Sequence, residues 1–401
     1  MYPYVVESFG DNFKKGGILH NFFENSEIAP EYICGGQLFR GISFSNNFLA
    51  GKEKQRYVFK KVDNSIIPVS NEEFTYSENT AFNKTIANYV GRLTSTREHV
   101  SADSYGNTSI VTLKYYGINR YKLNTSFRYL SLMKKTDYLE GTPVQTQTEY
   151  FYTNPLHFQL TKEKATSADG IINETIYSYA HEKGNQLLID RNMVGIPFEK
   201  MHTQTSGTIT KTLGKTETIY PASVPTVQTG NLILPLEVKS YDILNNIVST
   251  EVKYDRYDEK GNILQYTTKD GLPVAIVWGY NKTQPIAKVE GITYDQLTAA
   301  VSISAIVSAS DQDASNPATE NQLLTALNDF RKQTALSEKQ ITTFTYDPLI
   351  GVTSITPPTG IREIYSYDAA NRLKEVEVRE KDSNGNYVYR KVKEFNYNYK
   401  Q

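Results

Sequence analysis

The sequence is poor in the residues that build metal sites and disulfides. It contains one cysteine, Cys34, which excludes any disulfide within the chain and any cage of thiolate ligands. Its five histidines are scattered without the spacing of a metal site: His20, His99, His157, His181 and His202. Surface or packing roles are expected for them, and the sequence predicts neither a metal nor a cofactor.

Charge of one sign and long apolar runs are also missing. Lys plus Arg number 43 and Asp plus Glu 44, so the formal charge of −1 gives no electrostatic basis for binding nucleic acid. No stretch approaches the ~18 apolar residues of a membrane span. The N-terminal segment has neither the basic start nor the apolar run of a signal peptide, and "YPYVVESF" reads like the middle of a strand. We expect no membrane span, and a chain that is the mature end of something longer.

Tyrosine is abundant instead. The chain has 30 Tyr, against 17 Phe and one Trp. Tyrosine favours β-strands, where it buries a large ring while its polar tip finds a partner. This weighting indicates an open β architecture with a tyrosine-rich interior.

Turn signals recur between short runs of Tyr, Val, Ile and Thr. They lie at residues 105–107, 168–170, 259–262, 269–271 and 383–386. Asp-Gly and Asn-Gly between alternating runs are hairpin signals, because type I′ turns need two residues at positive φ. The sequence therefore predicts a meander of antiparallel hairpins with type I′ turns.

An internal repeat appears when Tyr150 is aligned with Tyr254. After a gap of three residues the register continues, so that Tyr177 aligns with Trp278 and Tyr179 with Tyr280. By the two-residue period of a strand, we predict one shared face for Leu272, Val274, Ile276, Trp278 and Tyr280. A shorter echo follows at residues 344–368. Repeats of this kind bury a continuous core by stacking on their neighbours.

Residues 293–340 depart from this pattern, because they are rich in Ala, Leu, Gln and Glu. Asn316 and Pro317 mark a helix start, and an apolar stripe follows at Leu323, Leu324, Leu327 and Phe330. We predict a helical hairpin joined by a polar loop at residues 308–316. We expect this stripe to pack against the first helix of the insert, through Leu297, Val301 and Ile306, and against the sheet; the alternative is a groove for a partner. Since both ends meet neighbouring strands, we expect the insert to be dispensable for the β array.

The sequence offers few candidates for catalytic or metal-binding residues. Cys34 lacks a recognisable histidine partner and is read as a small buried residue. The segment from Asp311 begins like a calcium loop, but Asn316 replaces the required Gly and Gln322 the required Glu. Carboxylates are plentiful, yet a spatial pair cannot be read from sequence. We predict that the chain is not an enzyme.

The stretch "YSYDAANRLKEV" near the C-terminus resembles the tyrosine-aspartate (YD) repeat of Rhs proteins. Tyr365, Tyr367, Asp368, Arg372 and Leu373 fit the pattern, while Asn371 replaces the usual Gly. Asn tolerates the left-handed conformation better than most residues. The series from residue 236 onward is similar to the C-terminal regions of large YD-repeat surface proteins of Bacteroidota.

The resemblance implies a spiralling antiparallel sheet of stacked hairpins. Together with the small helical insert, this gives the predicted fold class, which is mainly β. We divide the chain into an irregular β-rich segment at 1–125, YD-like hairpins at 126–289, the insert at 290–340 and C-terminal YD repeats at 341–401. The predicted structural residues are the YD side chains and their repeat equivalents: Tyr365, Tyr367, Asp368, Arg372, Leu373, Tyr177, Tyr179, Trp278 and Tyr280.

Within the YD unit, Tyr365 and Tyr367 are predicted to share one strand face. Each buried ring covers ~150–250 Å², which at about 25 cal/mol per Å² amounts to several kcal/mol. Asp368 is predicted to accept backbone N–H groups of the turn. Arg372 is predicted to reach a carboxylate or to stack on a ring.

Three functions follow as hypotheses. The first is a non-enzymatic structural and binding segment, exported or displayed at the cell surface, with glycans, other surface proteins or upstream repeats of the same polypeptide as partners. The second is the wall of a toxin-encapsulating Rhs shell, although the chain stops after the last YD unit. The third is a carbohydrate-binding module, because exposed aromatic strands make good sugar platforms.

Overall fold

The computed structural model describes residues 2–24, 27–28, 31–34, 44–45, 48–63, 65–243, 245, 247–381 and 387–397. The described chain is mainly β and its strands pair antiparallel, so the predicted fold class is confirmed. It divides into two compact units. The first comprises residues 1–176 and 203–211, and the second residues 177–202 and 212–401. No described helix is long and apolar enough to cross a membrane.

The first unit is a set of hairpins. Its strands are β1 (Tyr4–Ser8), β2 (Gly17–Phe22), β3 (Glu27–Ile28), β4 (Glu31–Cys34), β5 (Phe44–Ser45), β6 (Glu53–Val62), β7 (Ser65–Ala102), β8 (Thr108–Leu139), β9 (Thr142–Phe151), β10 (Lys162–Thr166) and most of β11 (Ile172–Ser178), with a 3₁₀ turn at Asp11–Phe13. Strands β7 and β8 form one long ribbon, paired from Ser70 with Asp137 to Ala102 with Thr108. The distal part of the ribbon is exposed on both faces.

Aromatic rings hold the base of this ribbon. Phe82 contacts Phe158 edge-on at 4.1 Å between ring centroids, and Tyr129 lies 4.6 Å from Tyr152. Phe127 joins the two pairs. Edge-on and tilted contacts of this kind suit the ring quadrupoles, so the aromatic pairs add to the burial of the rings.

The second unit is a hairpin series that carries the helices. Its elements are α1 (Ala180–Lys183), α2 (Gln186–Asp190), parts of β12 (Glu199–Ser206) and β13 (Ile209–Ile219), then β14 (Glu237–Asp242), β15 (Ile247–Tyr257), β16 (Ile263–Thr268), β17 (Pro273–Gly279), β18 (Gln284–Glu290), α3 (Tyr294–Ala300), α4 (Ser304–Ser315), α5 (Glu320–Arg331), β19 (Gln340–Asp347), β20 (Gly351–Thr356), β21 (Arg362–Tyr367), β22 (Leu373–Lys381) and β23 (Tyr387–Glu394). From β13 to β23 each strand pairs with the next. Short 3₁₀ turns lie at Pro317–Thr319 and Thr334–Leu336.

The helices and strands β17–β19 bury one hydrophobic core. The helical side consists of Leu297, Val301, Ile306, Leu323, Leu327 and Phe330, all less than a tenth exposed. The strand side consists of Ala275, Val277, Ile286, Ala287, Val289 and Ile341. The predicted stripe therefore packs against the first helix and the sheet, except that Leu324 is only half-buried. Because the helices cover the central strands, the expectation that the insert is dispensable does not follow from the packing.

Two predictions about the insert are wrong. It contains three α-helices, α3 to α5, instead of a hairpin of two. The predicted loop at residues 308–316 lies almost wholly within α4, which ends at Ser315. Its polar residues are compatible with a helix because Ser310 donates to the carbonyl of Val307, and because Ser310 and Asp313 face protein partners.

The predicted shared face of β17 is wrong at Tyr280. Tyr280 belongs to the hydrophobic core together with Ala275 and Val277, whereas Ile276 and Trp278 alternate with those two residues and are half-buried. Tyr280 leaves the alternation because it follows the strand in the left-handed conformation, with a φ of 50°.

The turns at three of the predicted signals differ from the predicted type I′. The turns at residues 103–107, 258–262 and 268–272 each have a single residue at positive φ, which is Gly106, Gly261 or Gly271. In each, the backbone N–H of the first residue donates to the carbonyl of the fifth, and the carbonyl of the first accepts from the N–H of the fourth. This is a three-residue loop with one left-handed position, and it needs glycine once instead of twice. The turn signal at 383–386 lies outside the described residues.

The predicted segment boundaries fall at different kinds of place in the structure. The boundary between residues 125 and 126 lies within β8. The one between residues 289 and 290 lies near the end of β18, and the one between residues 340 and 341 lies at the start of β19.

Candidate functional site

The YD turn at Asp368 is a compact network of hydrogen bonds. One carboxylate oxygen of Asp368 accepts from the backbone N–H groups of Ala370 and Arg372, at 2.8 and 3.0 Å. The other accepts from Nε of Arg372 at 2.8 Å. Asn371 occupies the left-handed position with a φ of 58°. The Arg372 guanidinium lies 4.3 Å from the ring centroid of Tyr397, so this arginine both binds the carboxylate and stacks.

These contacts fix the charge of the aspartate. The hydrogen bonds from Arg372 and from the turn hold the pKa of Asp368 at about 2. The carboxylate therefore stays ionised over the whole physiological range. Its oxygens are occupied by donors of its own turn, which makes it a structural cap.

The same turn occurs at two earlier hairpins. Asp258 accepts from the N–H groups of Lys260 and Asn262, both at 2.9 Å, and from the Asn262 side chain at 3.0 Å. Asp103 makes the equivalent contacts with Tyr105 and Asn107. This turn is defined by an Asp at its first position and a polar donor at its fifth. That spacing identifies the turn in the sequence, whereas an Asp-Gly or Asn-Gly pair alone does not.

The motif tyrosines lie in the strands before the turn. Tyr365 and Tyr367 are half-buried; the hydroxyl of Tyr367 donates to the carbonyl of Val352 at 2.9 Å, and that of Tyr365 to Glu363. Burial, followed by the Glu363 contact, raises the pKa of Tyr365 to about 12. Leu373 begins β22 and is half-buried.

The repeat equivalents lie in different surroundings. Tyr177 is half-buried with the ammonium of Lys200 5.6 Å from its ring centroid, and Tyr179 is buried just before α1. Trp278 is half-buried, and its indole N–H donates to the carbonyl of Ile263 at 2.8 Å. The structure does not bring these residues to a common site with Tyr365.

Tyr280 lies at the centre of a buried polar network. Its hydroxyl donates to Asp313 at 2.8 Å and accepts from the backbone N–H of Tyr346 at 2.9 Å. Tyr280 is 2% exposed and Asp313 is 3% exposed. The second oxygen of Asp313 has no hydrogen-bond partner among the described residues. Burial raises the pKa of the Asp313 carboxyl, and the nearby Glu320 and Asp347 raise it further.

The turn after β17 is strained. Tyr280, Asn281 and Lys282 have φ values of 50°, 58° and 62°, and successive left-handed residues that are not glycine are rare. Helix α4 holds the turn from one side, since Ser310 accepts from the N–H of Tyr280 and Asp311 from that of Asn281, at 3.2 and 2.6 Å. Strain of this kind persists only where the surroundings enforce it.

The YD turn at 258–262 holds the same strained turn from the other side. Lys260 donates to the carbonyl of Asn281 at 2.8 Å, and the Asn262 side chain donates to that of Lys282 at 3.0 Å. The Lys282 ammonium contacts Glu259. A YD turn, the strained turn and helix α4 are therefore joined by side-chain hydrogen bonds.

These elements border a cavity of about 530 Å³, which we call the Trp278 pocket. Trp278, Tyr257 and Tyr294 supply aromatic walls. Val277, Leu264, Ile303 and Val307 supply an aliphatic floor. Its rim carries charges of both signs and one hydroxyl, from Arg256, Lys282, Asp258, Glu259 and Ser304. Sequence analysis singled out Trp278 for its repeat position and missed the pocket, because its walls are contributed by strands and helices far apart in the chain.

A second cluster of charged groups joins α1 to β12–β14. Lys183 donates to Glu199 and to Glu217, and Lys215 donates to Glu199 at 2.8 Å. The Tyr241 hydroxyl donates to Glu217, and this contact raises the pKa of Tyr241 to about 12. The opposite charges satisfy one another, so the cluster is an ion-pair network that fastens the helix to the strands.

The remaining reactive side chains do not converge on these sites. Cys34 lies at the end of a short strand and is exposed, so its predicted burial is wrong. His20 pairs with Glu53 at 2.7 Å, and His157 accepts from the N–H of Gln159 at 2.9 Å. Among the residues that the structure describes, no group of three or more His, Cys, Asp or Glu is placed to hold a metal ion.

Comparison with known proteins gives weak structural likenesses alone. No protein-family model and no curated protein matches the sequence. Among solved structures, a TcdB2-TccC3 chain without its hypervariable C-terminal region matches with a TM-score of 0.45 and 9% identity, over 94% of this chain and 20% of that chain. The Photorhabdus luminescens Tc holotoxin pore matches with a TM-score of 0.43 and 10% identity, over 83% of this chain and 16% of that one.

A complex named TcdB2-TccC3-Cdc42 matches at the same level, with a TM-score of 0.43, 10% identity and coverage of 93% of this chain and 20% of that one. The chain thus spans about a fifth or less of the length of the solved chains it matches. At these scores the likenesses indicate nothing about activity. The fold described above depends on the strand pairing within the chain itself.

Proposed function

We propose that the chain is a non-enzymatic structural segment of an Rhs-type repeat protein, in which YD hairpins form a continuous β wall outside the cell. The observation that carries this proposal is the shared turn. Asp103, Asp258 and Asp368 cap three hairpins by the same set of hydrogen bonds. A device repeated in this way serves to build successive rungs, as repeat proteins do.

The chemistry of the motif supports a structural role. Asp368 holds its charge in a fixed network with Arg372, and its pKa of about 2 suits a permanent acceptor instead of a proton donor at neutral pH. The hydroxyl of Tyr367 is bound to a backbone carbonyl of the neighbouring strand. The hydrogen bonds of both groups therefore stabilise the hairpin.

Strand β23 supports continuation of the wall. Within the described residues β23 pairs with β22 alone, and its side chains from Tyr387 to Glu394 are exposed. Four of them are large and apolar or aromatic, Tyr387, Val388, Tyr389 and Val392. An exposed edge strand of this kind pairs readily with a further strand. Other repeats of the same polypeptide are the partners that we propose.

The direct test is electron cryomicroscopy of the complete gene product purified from the cells that make it. We expect a continuous antiparallel sheet in which another strand pairs with β23. A complete product in which the β23 edge faces solvent would contradict the wall. The same map tests the second candidate, a toxin-encapsulating shell, because that function requires a closed sheet with separate polypeptide inside.

The proposed location has its own test. Intact cells are treated with trypsin, and the chain is followed with an antibody against residues 387–397. Loss of the signal from intact cells, with a cytoplasmic protein left uncut, is the expected result. Cleavage that requires lysis would contradict display outside the cell.

A further inference from the structure

Two arginines face each other across the neighbouring strands β21 and β22. Arg362 and Arg379 are directly opposite in the antiparallel register, so their side chains lie on the same face of the sheet. Arg362 is 9% exposed and Arg379 is half-buried. Like charges at opposite positions repel each other. We call these two residues the arginine pair, and their juxtaposition is unfavourable unless a negative charge lies beside them.

Arg362 is hydrogen-bonded to neutral oxygens. Its Nε donates to the hydroxyl of Thr356 at 3.2 Å, and its Nη2 donates to the side-chain carbonyl of Asn328 at 3.3 Å. Burial lowers the pKa of the Arg362 guanidinium, and the charge of Arg379 lowers it further. The guanidinium keeps its proton all the same, because arginine does not deprotonate in proteins. The buried face of the sheet therefore holds a permanent positive charge.

Arg379 has a buried donor that is free to bind. Its Nε is buried and has no hydrogen-bond partner among the described residues. The guanidinium stacks on the ring of Tyr387, 4.0 Å from the ring centroid. By contrast, Arg390 of β23 binds the carboxylate of Glu380 at 2.9 Å. Arg379 is thus oriented by an aromatic ring, and its donor faces no acceptor of the described chain.

The nearby carboxylate does not neutralise the arginine pair. Glu320 favours the charge of Arg362 from a distance, but its Oε1 accepts from the hydroxyls of Thr345 and Thr353, at 3.0 and 2.6 Å. Within the described part of the chain, neither arginine of the pair forms an ion pair with a carboxylate. A buried charge without a counter-charge is costly.

A third arginine increases the positive potential at this place. Arg331, the last residue of α5, donates to the backbone carbonyls of Thr356 and Pro357 at 3.0 and 2.8 Å. Burial lowers its pKa, and the neighbouring Arg362 lowers it further. Its own donors are therefore used within the fold, whereas its charge still acts on the arginine pair. An anion bound there would offset all three charges.

We propose that the arginine pair binds a doubly charged oxyanion, the phosphate group of inorganic phosphate or of a small phosphorylated molecule. Two guanidinium groups match the two charges of such a group, and their planar forks of N–H donors match its oxygens. Tyr387 and Tyr389 are exposed beside the pair, so a ligand can enter from solvent. The site lies on a face of the sheet and goes beyond the proposed wall function, because pairing of a further strand with the β23 edge neither requires nor prevents it.

Isothermal titration calorimetry tests the ligand class directly. The purified chain is titrated with phosphate, sulfate, glycerol 3-phosphate and acetate, and sodium chloride holds the ionic strength constant because salt screens exposed charges. We expect saturable binding of the three doubly charged anions and binding of acetate at least about tenfold weaker. Tighter binding of glycerol 3-phosphate than of phosphate supports a phosphorylated ligand, and the reverse order supports the free ion. Absence of saturable binding by all three, or acetate bound as tightly as phosphate, overturns the proposal.

Two matched variants locate the site. Arg379→Gln and Arg390→Gln each remove one positive charge from neighbouring strands, but Arg390 is one register position away from the residue opposite Arg379 and so lies on the other face. Arg379→Gln should weaken phosphate binding at least about tenfold, whereas Arg390→Gln should bind as the parent does. Equal weakening in both variants would show an effect of net charge alone and overturns the assignment, as does parent-like binding by Arg379→Gln.

Urea denaturation gives a second readout and a check on folding. A ligand that binds the folded chain raises the urea midpoint, but phosphate also stabilises proteins by exclusion from their surface. We expect phosphate to raise the midpoint of the parent more than that of Arg379→Gln. If Arg379→Gln does not fold, Arg379→Lys takes its place, because it keeps the charge and loses the planar fork. An equal rise in the parent and in the variant overturns the proposal.

Discussion

The pKa values of Asp368 and Asp313 are shifted in opposite directions, because one carboxylate is partly exposed to water and the other is buried. Asp368 is half-exposed at a turn, where Arg372 and two backbone N–H groups favour its charged form. Asp313 is buried against Tyr280, and one of its oxygens has no partner in the described structure. Desolvation therefore raises the pKa of Asp313, whereas hydrogen bonding lowers that of Asp368.

Removing the hydroxyl of Tyr280 should destabilise the second unit. Tyr280→Phe leaves a buried acceptor on Asp313 and the buried N–H of Tyr346 without a partner. We expect the free energy of unfolding to fall by about 1–3 kcal/mol. It is measured by urea denaturation, with the fluorescence of Trp278 as the signal. Tyr389→Phe, at an exposed ring, is the control and should change little. Equal stability of the two variants would show that the buried network contributes nothing.

The two aspartates should give opposite pH dependences. A raised folded-state pKa means that the contribution of Asp313 is present below its ordinary value of 3.8 and is lost as pH rises through the folded pKa. Asp313→Asn should therefore gain stability relative to the parent between acidic and neutral pH. Asp368→Asn should show the reverse, a deficit at neutral pH that disappears as pH falls toward about 2. Parallel curves would refute the assignment of charge states.

At the scale of elements, helix α4 is pressed against β17 at Gly279. A Cβ atom there would lie 2.1 Å from the hydroxyl oxygen of Ser310 and 2.8 Å from a methyl carbon of Ile286. Real side chains do not approach so closely, so the helix approaches the strand because residue 279 has no side chain.

Gly279→Ala should therefore displace α4. We expect a loss of about 1–3 kcal/mol, the usual cost of overpacking a core. Gly214→Ala is the matched control, because Gly214 lies in β13 with no atom within 4 Å of its missing Cβ. That variant should be neutral or slightly more stable. A neutral Gly279→Ala would mean that α4 is not held against the strand in solution.

The insert itself can be tested by replacement. The sequence suggests that a Gly-Ser linker in place of residues 293–340 leaves the β array folded. The packing predicts the opposite for β17–β19, because Ala275, Val277 and Val289 would lose their cover. We expect the linker variant to lose the cooperative urea transition that Trp278 fluorescence reports. A linker in place of the turn at 103–107 should leave that transition unchanged. A normal transition in the first variant would show that the strands form their core without helices.

The outcome at Tyr280 shows how far the sequence predicts the structure. Hairpins and the β fold class follow from turn residues and the two-residue period, and the helical stripe at Leu323, Leu327 and Phe330 follows from its spacing. The side of the sheet on which Tyr280 lies does not follow, because Tyr280 itself is left-handed, with a φ of 50° at the end of β17. The Trp278 pocket does not follow either, since its walls meet only through tertiary packing.

At the scale of the whole molecule, burial is distributed unevenly. Both described hydrophobic cores, around Ile286 and around Leu188, belong to the second unit. Within the described part of the first unit, Leu49 is the one large apolar side chain that is less than a tenth exposed. The first unit depends more on strand pairing and on half-buried aromatic rings, such as the pair of Phe82 and Phe158.

This difference predicts a gradient of amide protection in hydrogen exchange. The distal ribbon, residues 93–102 with 108–116, is a two-stranded sheet whose side chains are exposed, and two-stranded hairpins are marginally stable. Its amides should exchange through local opening, long before those of β17–β19 beneath the helices, which require unfolding of the core. The proximal pairing of β6 with β7 is the internal control and should be intermediate. Hydrogen exchange is measured at two protein concentrations. If the ribbon amides are as protected as those of β17–β19 at both concentrations, the gradient is contradicted. If their protection grows with concentration, another copy of the chain covers the ribbon.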